Sequence, residues 1–407
     1  MKKIWIIIGS IILLILILGG AWWYLLMNGR PESLSGIPNP FGSFGGSNEF
    51  VPVDVTEDTQ EERQTSTALK KISTTPVAGS IIFEQDGTTK VRYVERGTGH
   101  IYEVDTDTQT GVRLVNITIP RTTEAFWSPQ GNRVVITAEE SPVTQRVFVN
   151  TLEKNDAGET VVTSTELPGA SRSIAFGSNG DVLYYLMPTS AGSTGYRYDL
   201  KTNTRIELFN SVLRDITVSW EPEILAYTTP SARVPGYAYR GSEFERIAGG
   251  VTSLMLTPTK SSFVTTFLTS EGSLVSYGAA TSSTPLTVSV FPEKCAADRE
   301  REHILWCGAS VVPINGEYPD AWYQGVASLD DMVWEIDAYT GSAALISIPS
   351  EDVGEIIDIL DMHVNASSTM LIFTNKRDGL LWLQELPQSI TPSADSMEDV
   401  EQTEGEE

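Results

Sequence analysis

The sequence predicts an all-β fold made of seven similar units, the arrangement of a seven-bladed β-propeller. The clearest unit is AFWSPQGNRVVITAEE, Ala125–Glu140, which reads as a strand ending at Trp127, a Ser-Pro-Gln-Gly turn and a second strand, Arg133–Ala138. Weaker copies of this pattern recur along the chain, and most are followed by two more strand-like runs. Repeats of about 40 to 50 residues with four strands each are typical of propeller blades. Six or eight blades are the alternatives.

The spacing of the units supports the count of seven. Their first strands end at Phe83, Trp127, Phe176, Trp220, Leu256, Ala296 and Val364. Successive ends are 44, 49, 44, 36, 40 and 68 residues apart, and an insertion lengthens the last interval. From Ala68 to Leu386 short runs rich in Val, Ile, Tyr, Thr and Trp alternate with turn residues, and no helical stripe is sustained. The propeller is therefore expected to span 68–386.

Two further features concern the third and fourth strands of the units. Asp105, Asp199 and Asp337 each end a third strand, where a carboxylate accepts hydrogen bonds from the backbone of the following turn. The last unit ends after its third strand. Ala68–Thr74 (ALKKIST) is placed to supply its fourth strand, which would close the ring and remove an open sheet edge.

The Trp-Ser-Pro-x-Gly turn at Trp127–Gly131 gives the domain a resemblance to TolB-type propellers, and the architecture as a whole resembles WD-repeat propellers. The Trp-Asp and Gly-His signatures of true WD repeats are missing. The complete arrangement resembles uncharacterised single-pass, membrane-anchored propeller proteins of bacteria. The resemblance implies the fold, but not an activity, because propellers include both enzymes and binding platforms.

A membrane anchor is expected at the N-terminus. Met1–Lys3 forms a short cytoplasmic stub, and the apolar run Ile4–Met27 is long enough to cross a hydrocarbon layer of about 30 Å. Lys2 and Lys3 favour a cytoplasmic N-terminus, which places the propeller on the extracytoplasmic side of the cell membrane. A cleaved signal peptide is the alternative, but its apolar region would be shorter, about 7 to 15 residues.

Flexible segments are expected on both sides of the propeller. Residues 28–67 are rich in Gly, Pro, Thr and acidic residues and are expected to form a disordered linker. Residues 387–407 form an acidic, disordered tail. The net charge of −25 and the pI near 4.5 argue against binding to nucleic acid, which requires clustered Lys and Arg.

Common catalytic and metal-binding patterns are missing from the sequence. His100, His303 and His363 fall at non-equivalent positions without zinc-ligand spacing, and no GxSxG motif occurs. Asp105–Gly111 does not fit a calcium loop of the EF-hand type, because Gly111 is seventh and Asn116 stands where Glu is needed. Val333–Ala343 resembles the Asp-x-x-Thr-Gly motif of quinoprotein propellers, but the motif is strong only once. No catalytic residue, metal or cofactor is therefore expected.

The two cysteines are candidates for a disulfide bond. Cys295 lies on a first strand and Cys307 on the next strand of the same unit, after the turn DREREH. Neighbouring antiparallel strands bring Cα atoms within disulfide range, and an extracytoplasmic compartment would preserve the bond. Two reduced, buried thiols are the alternative.

Long connections between second and third strands point to one face of the ring. They are expected at Glu139–Gln145, Pro188–Gly195, Pro230–Gly236 and Ala309–Asp331. The longest contains Tyr318, Trp322 and Tyr323, which are candidate binding anchors because Trp and Tyr are favoured at interfaces. The alternative is that these aromatic side chains fold inward and fill the space beside their blade.

The sequence therefore favours a membrane-anchored, extracytoplasmic propeller that acts as a non-catalytic platform for another envelope or surface protein. An envelope enzyme acting on a glycan or small molecule at the channel is the alternative. A carboxylate or histidine cluster at the channel mouth would favour the enzyme. Exposed apolar loops would favour the platform.

Overall fold

The structure is a computed structural model of the 407-residue chain. It describes residues 69–387 except 109, 143, 169–170, 270–271, 279–282 and 311–316, with only the backbone described at 267–269 and 272–273. The expected cytoplasmic stub (1–3), transmembrane segment (4–27) and linker (28–67) lie outside the described residues, as does the expected acidic tail beyond residue 387. Within the described residues, no helix has the length and apolar character needed to span a membrane.

The described residues form seven four-stranded antiparallel sheets, which are the blades of a seven-bladed propeller. The predicted all-β fold and the predicted blade number are confirmed. Blade 1 consists of β2 (Val77–Gln85), β3 (Thr88–Glu95), β4 (Ile101–Asp105) and β5 (Gly111–Arg113). Blade 2 consists of β6 (Thr122–Trp127), β7 (Arg133–Ser141), β8 (Thr144–Lys154) and β9 (Thr160–Leu167). Blade 3 consists of β10 (Arg172–Phe176), β11 (Val182–Pro188), β12 (Ser193–Asp199) and β13 (Thr204–Ser211). Blade 4 consists of β14 (Ile216–Ser219), β15 (Leu225–Thr228), β16 (Gly236–Arg240) and β17 (Glu245–Val251).

The remaining blades follow the same order along the chain. Blade 5 consists of β18 (Met255–Pro258), β19 (Phe263–Thr269), β20 (Gly272–Tyr277) and β21 (Thr284–Leu286). Blade 6 consists of β22 (Cys295–Ala297), β23 (Ile304–Ala309), β24 (Met332–Asp337) and β25 (Ala343–Ser347). Blade 7 consists of β26 (Ile359–Val364), β27 (Met370–Asn375), β28 (Leu381–Glu385) and β1 (Leu69–Lys71). Two short helices, α1 (Asp320–Tyr323) and α2 (Pro349–Val353), and a 3-10 helix (Pro292–Lys294) lie in connections.

The ring is closed by strands from both ends of the propeller, as the sequence predicts. Strand β1 is antiparallel to β28, with Leu69 opposite Gln384 and Lys71 opposite Trp382. Just beyond β1, the Ile72 amide donates to the Leu381 carbonyl (2.9 Å), and the Leu381 amide donates to Ser73 Oγ (2.8 Å). Strand β1 and the residues just after it therefore pair with backbone groups of β28 that would otherwise form an open sheet edge.

The hydrophobic core consists of layers between adjacent blades. In one layer Val94 and Ile101 of blade 1 pack against Val134 and Ile136 of blade 2, and all four side chains are buried. Because successive residues of a strand point to opposite faces, a blade with neighbours on both sides buries both sets of side chains. The middle strands are accordingly almost continuously apolar, as in β23, whose six residues are all buried.

Local turn chemistry explains why the units are so regular. In the turn after Trp127, the Gly131 amide donates to the Ser128 carbonyl (2.8 Å), and Gly131 has φ 68°, a left-handed conformation that favours glycine. The three third-strand aspartates make the predicted contacts with the following turns: Asp105 Oδ1 accepts from the amides of Asp107 and Thr108, Asp199 Oδ1 from those of Lys201 and Thr202, and Asp337 Oδ1 from those of Tyr339 and Thr340.

One predicted connection is wrong. Glu139–Gln145 is a continuation of the β7–β8 hairpin, in which Glu139 is opposite Gln145 and Ser141 is opposite Thr144. This end of the hairpin is polar and mostly exposed, so it lacks the apolar alternation by which a half-buried strand is recognised. The other three connections are present, at 189–192, 229–235 and 310–331.

Because neighbouring strands are antiparallel, the ring has two distinct faces. All connections between second and third strands, and all connections from one blade to the next, emerge on one side, which we call the loop face. Its larger described connections are 96–100, 114–121, 212–215, 229–235, 287–294, 310–331 apart from 311–316, 348–358 and 376–380. The opposite side, the turn face, carries connections such as 128–132, 298–303 and 338–342.

Candidate functional site

The longest connection on the loop face, 310–331, reaches across blade 5 to blade 4. Helix α1 lies in this connection, and its first residue, Asp320, accepts hydrogen bonds from Ser231 Oγ (3.0 Å) and from the Ala232 amide (2.6 Å). Over blade 5, Ser253 Oγ donates to the Tyr318 carbonyl (3.1 Å). These contacts fix the described residues 317–331 in one position over the blades.

Trp322, one of the three candidate anchors, is buried within this arrangement with only 1% of its surface exposed. Its Nε1 donates to Asp358 Oδ1 (2.9 Å), and its ring lies 5.2 Å from that of Phe291. The ammonium groups of Lys376 and Lys294 lie 4.0 Å and 4.8 Å from the indole centroid. Cations at such distances are attracted to the negative face of an aromatic ring. Trp322 therefore binds the connection to blades 6 and 7.

A buried ion cluster lies directly beneath Trp322. Lys294, which is fully buried, forms ion pairs with Asp331 and with Asp358, the latter at 2.6 Å. Asp331 also accepts from the Ile359 amide (2.8 Å). Burial raises the pKa of Asp331 to about 6, although Lys294 favours its charged form. Each charge here is held in place by an opposite charge, because an unpaired buried ion is strongly unfavourable.

Tyr323 and Tyr318 lie on either side of Trp322. The Tyr323 ring lies 5.4 Å from the Trp322 ring, and its hydroxyl donates to Glu293 Oε1 (2.8 Å) at the mouth of the channel. Tyr318 is half-buried against the cluster of Met255, Phe291 and Trp322. The structure thus brings the three candidate residues together. Trp322 is folded inward, as in the alternative in which these aromatic side chains fill the space beside their blade, whereas Tyr323 reaches the surface.

Exposed apolar side chains are concentrated on the loop face. Among the described residues, the large hydrophobic side chains exposed on this face are Val212, Val234, Tyr323, Val326 and Ile356. Those on outer strands at the rim are Val112, Val161, Ile206 and Leu345, and Tyr339 is exposed on the turn face. Val212 is 85% exposed, Val326 78% and Val234 63%. All three lie in connections, where such side chains have no packing role.

Several cavities lie along the axis of the ring, and two of them bear on function. A recess of about 1320 Å³ opens on the loop face where the first strands of blades 2, 3 and 4 begin, with Glu293 in its wall. We call it the mouth recess. A second cavity of about 640 Å³ lies further along the channel and is lined in part by Arg299, Asp361 and His363. His363 Nε2 lies 3.0 Å from Asp361 Oδ1.

The other two histidines make separate contacts. His100 Nδ1 lies 3.0 Å from Glu95 Oε2, and His303 Nε2 lies 4.0 Å from Asp337 Oδ2. Across the part of the chain that the structure describes, no group of three or more His, Cys, Asp or Glu side chains is arranged to hold a metal ion. The Asp105 carboxylate is occupied by the turn that follows it, and these hydrogen bonds lower its pKa.

The two cysteines lie opposite each other on β22 and β23. Their Cα atoms are 4.1 Å apart, and the sulfur atoms are joined. Cys307 is fully buried, while Cys295 is half-buried and lines the channel. The bond joins two strands that the sheet already holds side by side.

We expect the Cys295–Cys307 bond to be present in protein taken from its native compartment. The bond closes a short loop, so its contribution to the free energy of unfolding should be about 3 kcal/mol at most. Mass mapping of peptides without reductant should show the linked pair. Complete alkylation of both thiols under the same conditions would contradict this prediction.

Sequence reasoning missed the residues that hold the site together. Lys294, Asp331, Asp358 and Lys376 belong to four separate connections, and none of them is part of a motif. The one local signal is that Lys294 directly precedes a first strand, Cys295–Ala297, whose residues are apolar. A charged residue at such a position needs a partner, but the sequence does not indicate which one.

Comparison with known proteins gives similarity in fold alone. Neither the known protein families nor the curated proteins contain a match. Among solved structures, oligogalacturonate lyase in complex with manganese is 13% identical, with 82% of this chain and 97% of the lyase covered and a TM-score of 0.55. TolB from Acinetobacter baumannii is 11% identical, with 74% of this chain and 64% of TolB covered and a TM-score of 0.36. The Swd1 β-propeller domain from Myceliophteria thermophila is 10% identical, with 78% and 100% covered and a TM-score of 0.47.

The seven four-stranded sheets establish the propeller, and the lyase, with its TM-score of 0.55, shares this fold. TolB and the Swd1 propeller domain are also among the structural neighbours. The resemblance to propellers that the sequence indicated is confirmed for the fold alone. At identities of 10% to 13% these neighbours carry no residue-level information about a site. The function is therefore argued from the geometry of the loop face.

Proposed function

We propose that this protein is a non-catalytic protein-binding platform whose working surface is the loop face. The observation that carries the proposal is the distribution of exposed apolar side chains. Of the ten among the described residues, five lie on the loop face, four on outer strands at the rim and one on the turn face. Exposed apolar groups gathered on one face of a soluble domain mark interaction sites, because their burial against a partner is favourable.

The rigidity of the loop face supports the same proposal. The contacts of Asp320 and Trp322 fix the described residues 317–331 of connection 310–331 before any partner binds. Val326 lies close to Asp320 and Trp322 in this connection, and its amide donates a hydrogen bond to the Ala321 carbonyl (3.0 Å). A preorganised surface loses less conformational entropy on binding, so more of the contact energy contributes to affinity.

Photo-crosslinking tests which face binds. A photoreactive phenylalanine derivative placed at Val326 or Val212 should give adducts with a partner in native membranes. The same group at Tyr339 on the turn face, or at Val161 on the rim, should give none, although both residues are exposed. Adducts of equal yield from both faces, or adducts from Tyr339 alone, would contradict the proposal.

The proposal includes tethering to the cell membrane. The apolar run Ile4–Met27 follows Lys2 and Lys3, and its length suits an uncleaved, single-pass anchor with the N-terminus in the cytoplasm. The propeller would then work on the extracytoplasmic side, and its partner would be another envelope or surface protein. Residues 28–67 would hold the propeller away from the membrane surface.

Protease treatment of intact cells or spheroplasts tests this topology. We expect protease to release the propeller by cutting within 28–67, because segments rich in small and polar residues are readily cleaved. A propeller that remains protected would contradict the orientation. A mature chain that begins near Trp22 would show that the apolar run is a cleaved signal peptide.

A second candidate function is an envelope enzyme, or a binding protein, that acts on a glycan or small molecule in the channel. The observation that favours it is the pairing of His363 with Asp361 in a cavity that also contains Arg299. NMR titration with a panel of neutral oligosaccharides would test it. Binding that is lost in His363→Gln would support this candidate, and no binding by the wild-type chain would remove it for this ligand class.

A further inference from the structure

The mouth recess carries an excess of negative charge. The carboxylates in its lining belong to Glu124, Glu139, Glu140, Glu166, Asp215 and Glu293. The guanidinium groups belong to Arg146, Arg172 and Arg214. With all of these groups ionised, the lining has a net charge of −3. A recess lined by one sign of charge attracts groups of the opposite sign.

Two of the three arginines have partners within the chain, and setting the Arg146–Glu166 pair aside leaves the net charge of the lining at −3. Arg146 forms an ion pair with Glu166 (2.9 Å), and Arg214 donates to the Ser190 carbonyl. In contrast, Glu124, Glu139 and Asp215 form no ion pair with any residue that the structure describes. Their carboxylates line the recess.

Glu293 gives an independent indication from the wall of the same recess. Its Oε1 accepts the hydrogen bond from Tyr323, but its Oε2 is buried without a hydrogen-bond partner. Burial raises the pKa of Glu293. A carboxylate in the wall with an oxygen that has no donor attracts positive charge, so a cationic group in the recess would be stabilised beside Glu293.

Apolar side chains lie beside the recess. Val212 belongs to the connection that supplies Arg214 and Asp215, and Val234 belongs to the connection 229–235, whose first residue, Thr229, lines the recess. A partner that fits this region has basic side chains for the recess and apolar side chains for its edge. This arrangement is typical of interfaces, where charge sets orientation and apolar contact sets affinity.

We propose that the mouth recess receives a basic segment of the protein partner, with Arg or Lys side chains facing Glu124, Glu139 and Asp215 and apolar side chains on Val212 and Val234. This inference rests on the proposed function and adds the chemistry of the partner. Basic segments would be attracted from a distance to the recess, so association should weaken as the salt concentration rises.

The test uses the full-length chain in detergent and a fluorescent 12-residue peptide of alternating arginine and leucine. Peptides in which serine or glutamate replaces arginine are the references. We expect the basic peptide to bind most tightly. The triple variant Glu124→Gln, Glu139→Gln, Asp215→Asn should bind it about tenfold more weakly, since each exposed ion pair contributes a modest amount.

The matched control removes the same number of charges from the turn face. Asp86→Asn, Glu300→Gln and Glu302→Gln change exposed carboxylates in first-to-second strand turns. This control should bind the basic peptide as the wild type does. If both triple variants lose affinity equally, the peptide responds only to the overall charge of the chain, and the inference is wrong. It is also wrong if the serine peptide binds as tightly as the arginine peptide.

Failure of this inference can be distinguished from failure of the proposed function. If crosslinks still form at Val326 and Val212 but the recess variant binds the peptide normally, the loop face binds a partner that is not basic. If crosslinks at these positions are missing, the platform itself is wrong.

Discussion

A chain that begins at Thr75 should be less stable than one that begins at Thr67 by about 3–6 kcal/mol in the free energy of unfolding. The longer chain keeps β1, whereas the shorter one leaves β28 as an open edge of blade 7. The lost contacts include the hydrogen bonds at Leu381, the packing of Leu69 against blades 6 and 7, and the packing of Ile72 against blades 1 and 7. This loss is a large part of a typical stability of roughly 5–15 kcal/mol.

Urea unfolding of the two chains measures this difference, since both lack the apolar N-terminal run and are otherwise identical. The shorter chain should also aggregate more readily, because β28 would present unpaired backbone groups along its edge. Equal unfolding midpoints and equal solubility would mean that β1 contributes nothing to closure of the ring.

Trp322→Ala should lower the free energy of unfolding by about 3–5 kcal/mol. The substitution removes a fully buried ring and leaves Asp358 without one of its donors. Trp322→Phe should cost less, about 1–3 kcal/mol, because it keeps most of the ring and removes only the Nε1 donor. The order of these two effects separates the packing of the ring from its hydrogen bond.

Tyr339→Ala is the matched control for an aromatic residue at the surface. Tyr339 is 75% exposed on the turn face, so its substitution should change the stability by less than about 0.5 kcal/mol. If Trp322→Ala unfolds at the same urea concentration as Tyr339→Ala, Trp322 is not part of the core. In that case the first alternative, a direct binding anchor, would hold for this residue.

The architecture could be predicted because its determinants are local. The turn at Ser128–Gly131 and the aspartate turn at Asp105 involve residues within a few positions of each other, and each repeats in a similar form along the chain. Repeating units of about 40 to 50 residues, each with four short strands, then indicate the number of blades. Closure of the ring by β1 could be predicted because the last unit of the sequence ends without a fourth strand of its own.

The site could not be predicted to the same degree because its determinants are distant in sequence. Trp322 is buried by Asp358 and Lys376, which belong to other connections, so the sequence alone could not choose between an exposed anchor and an inward ring. Exposure of Val212 and Val326 follows from the shape of the loop face and has no sequence pattern. The mouth recess likewise joins residues of three blades.

The central claim is that a partner binds through the loop face, and charged substitutions there test it most directly. In the variant Val234→Asp, Val326→Asp, recovery of the crosslinked partner from native membranes should fall by about tenfold or more, because charge disrupts an apolar contact. The variant Val161→Asp, Tyr339→Asp should recover the partner as the wild type does, and both variants should unfold at the wild-type urea concentration. Equal recovery by the two variants would contradict the claim.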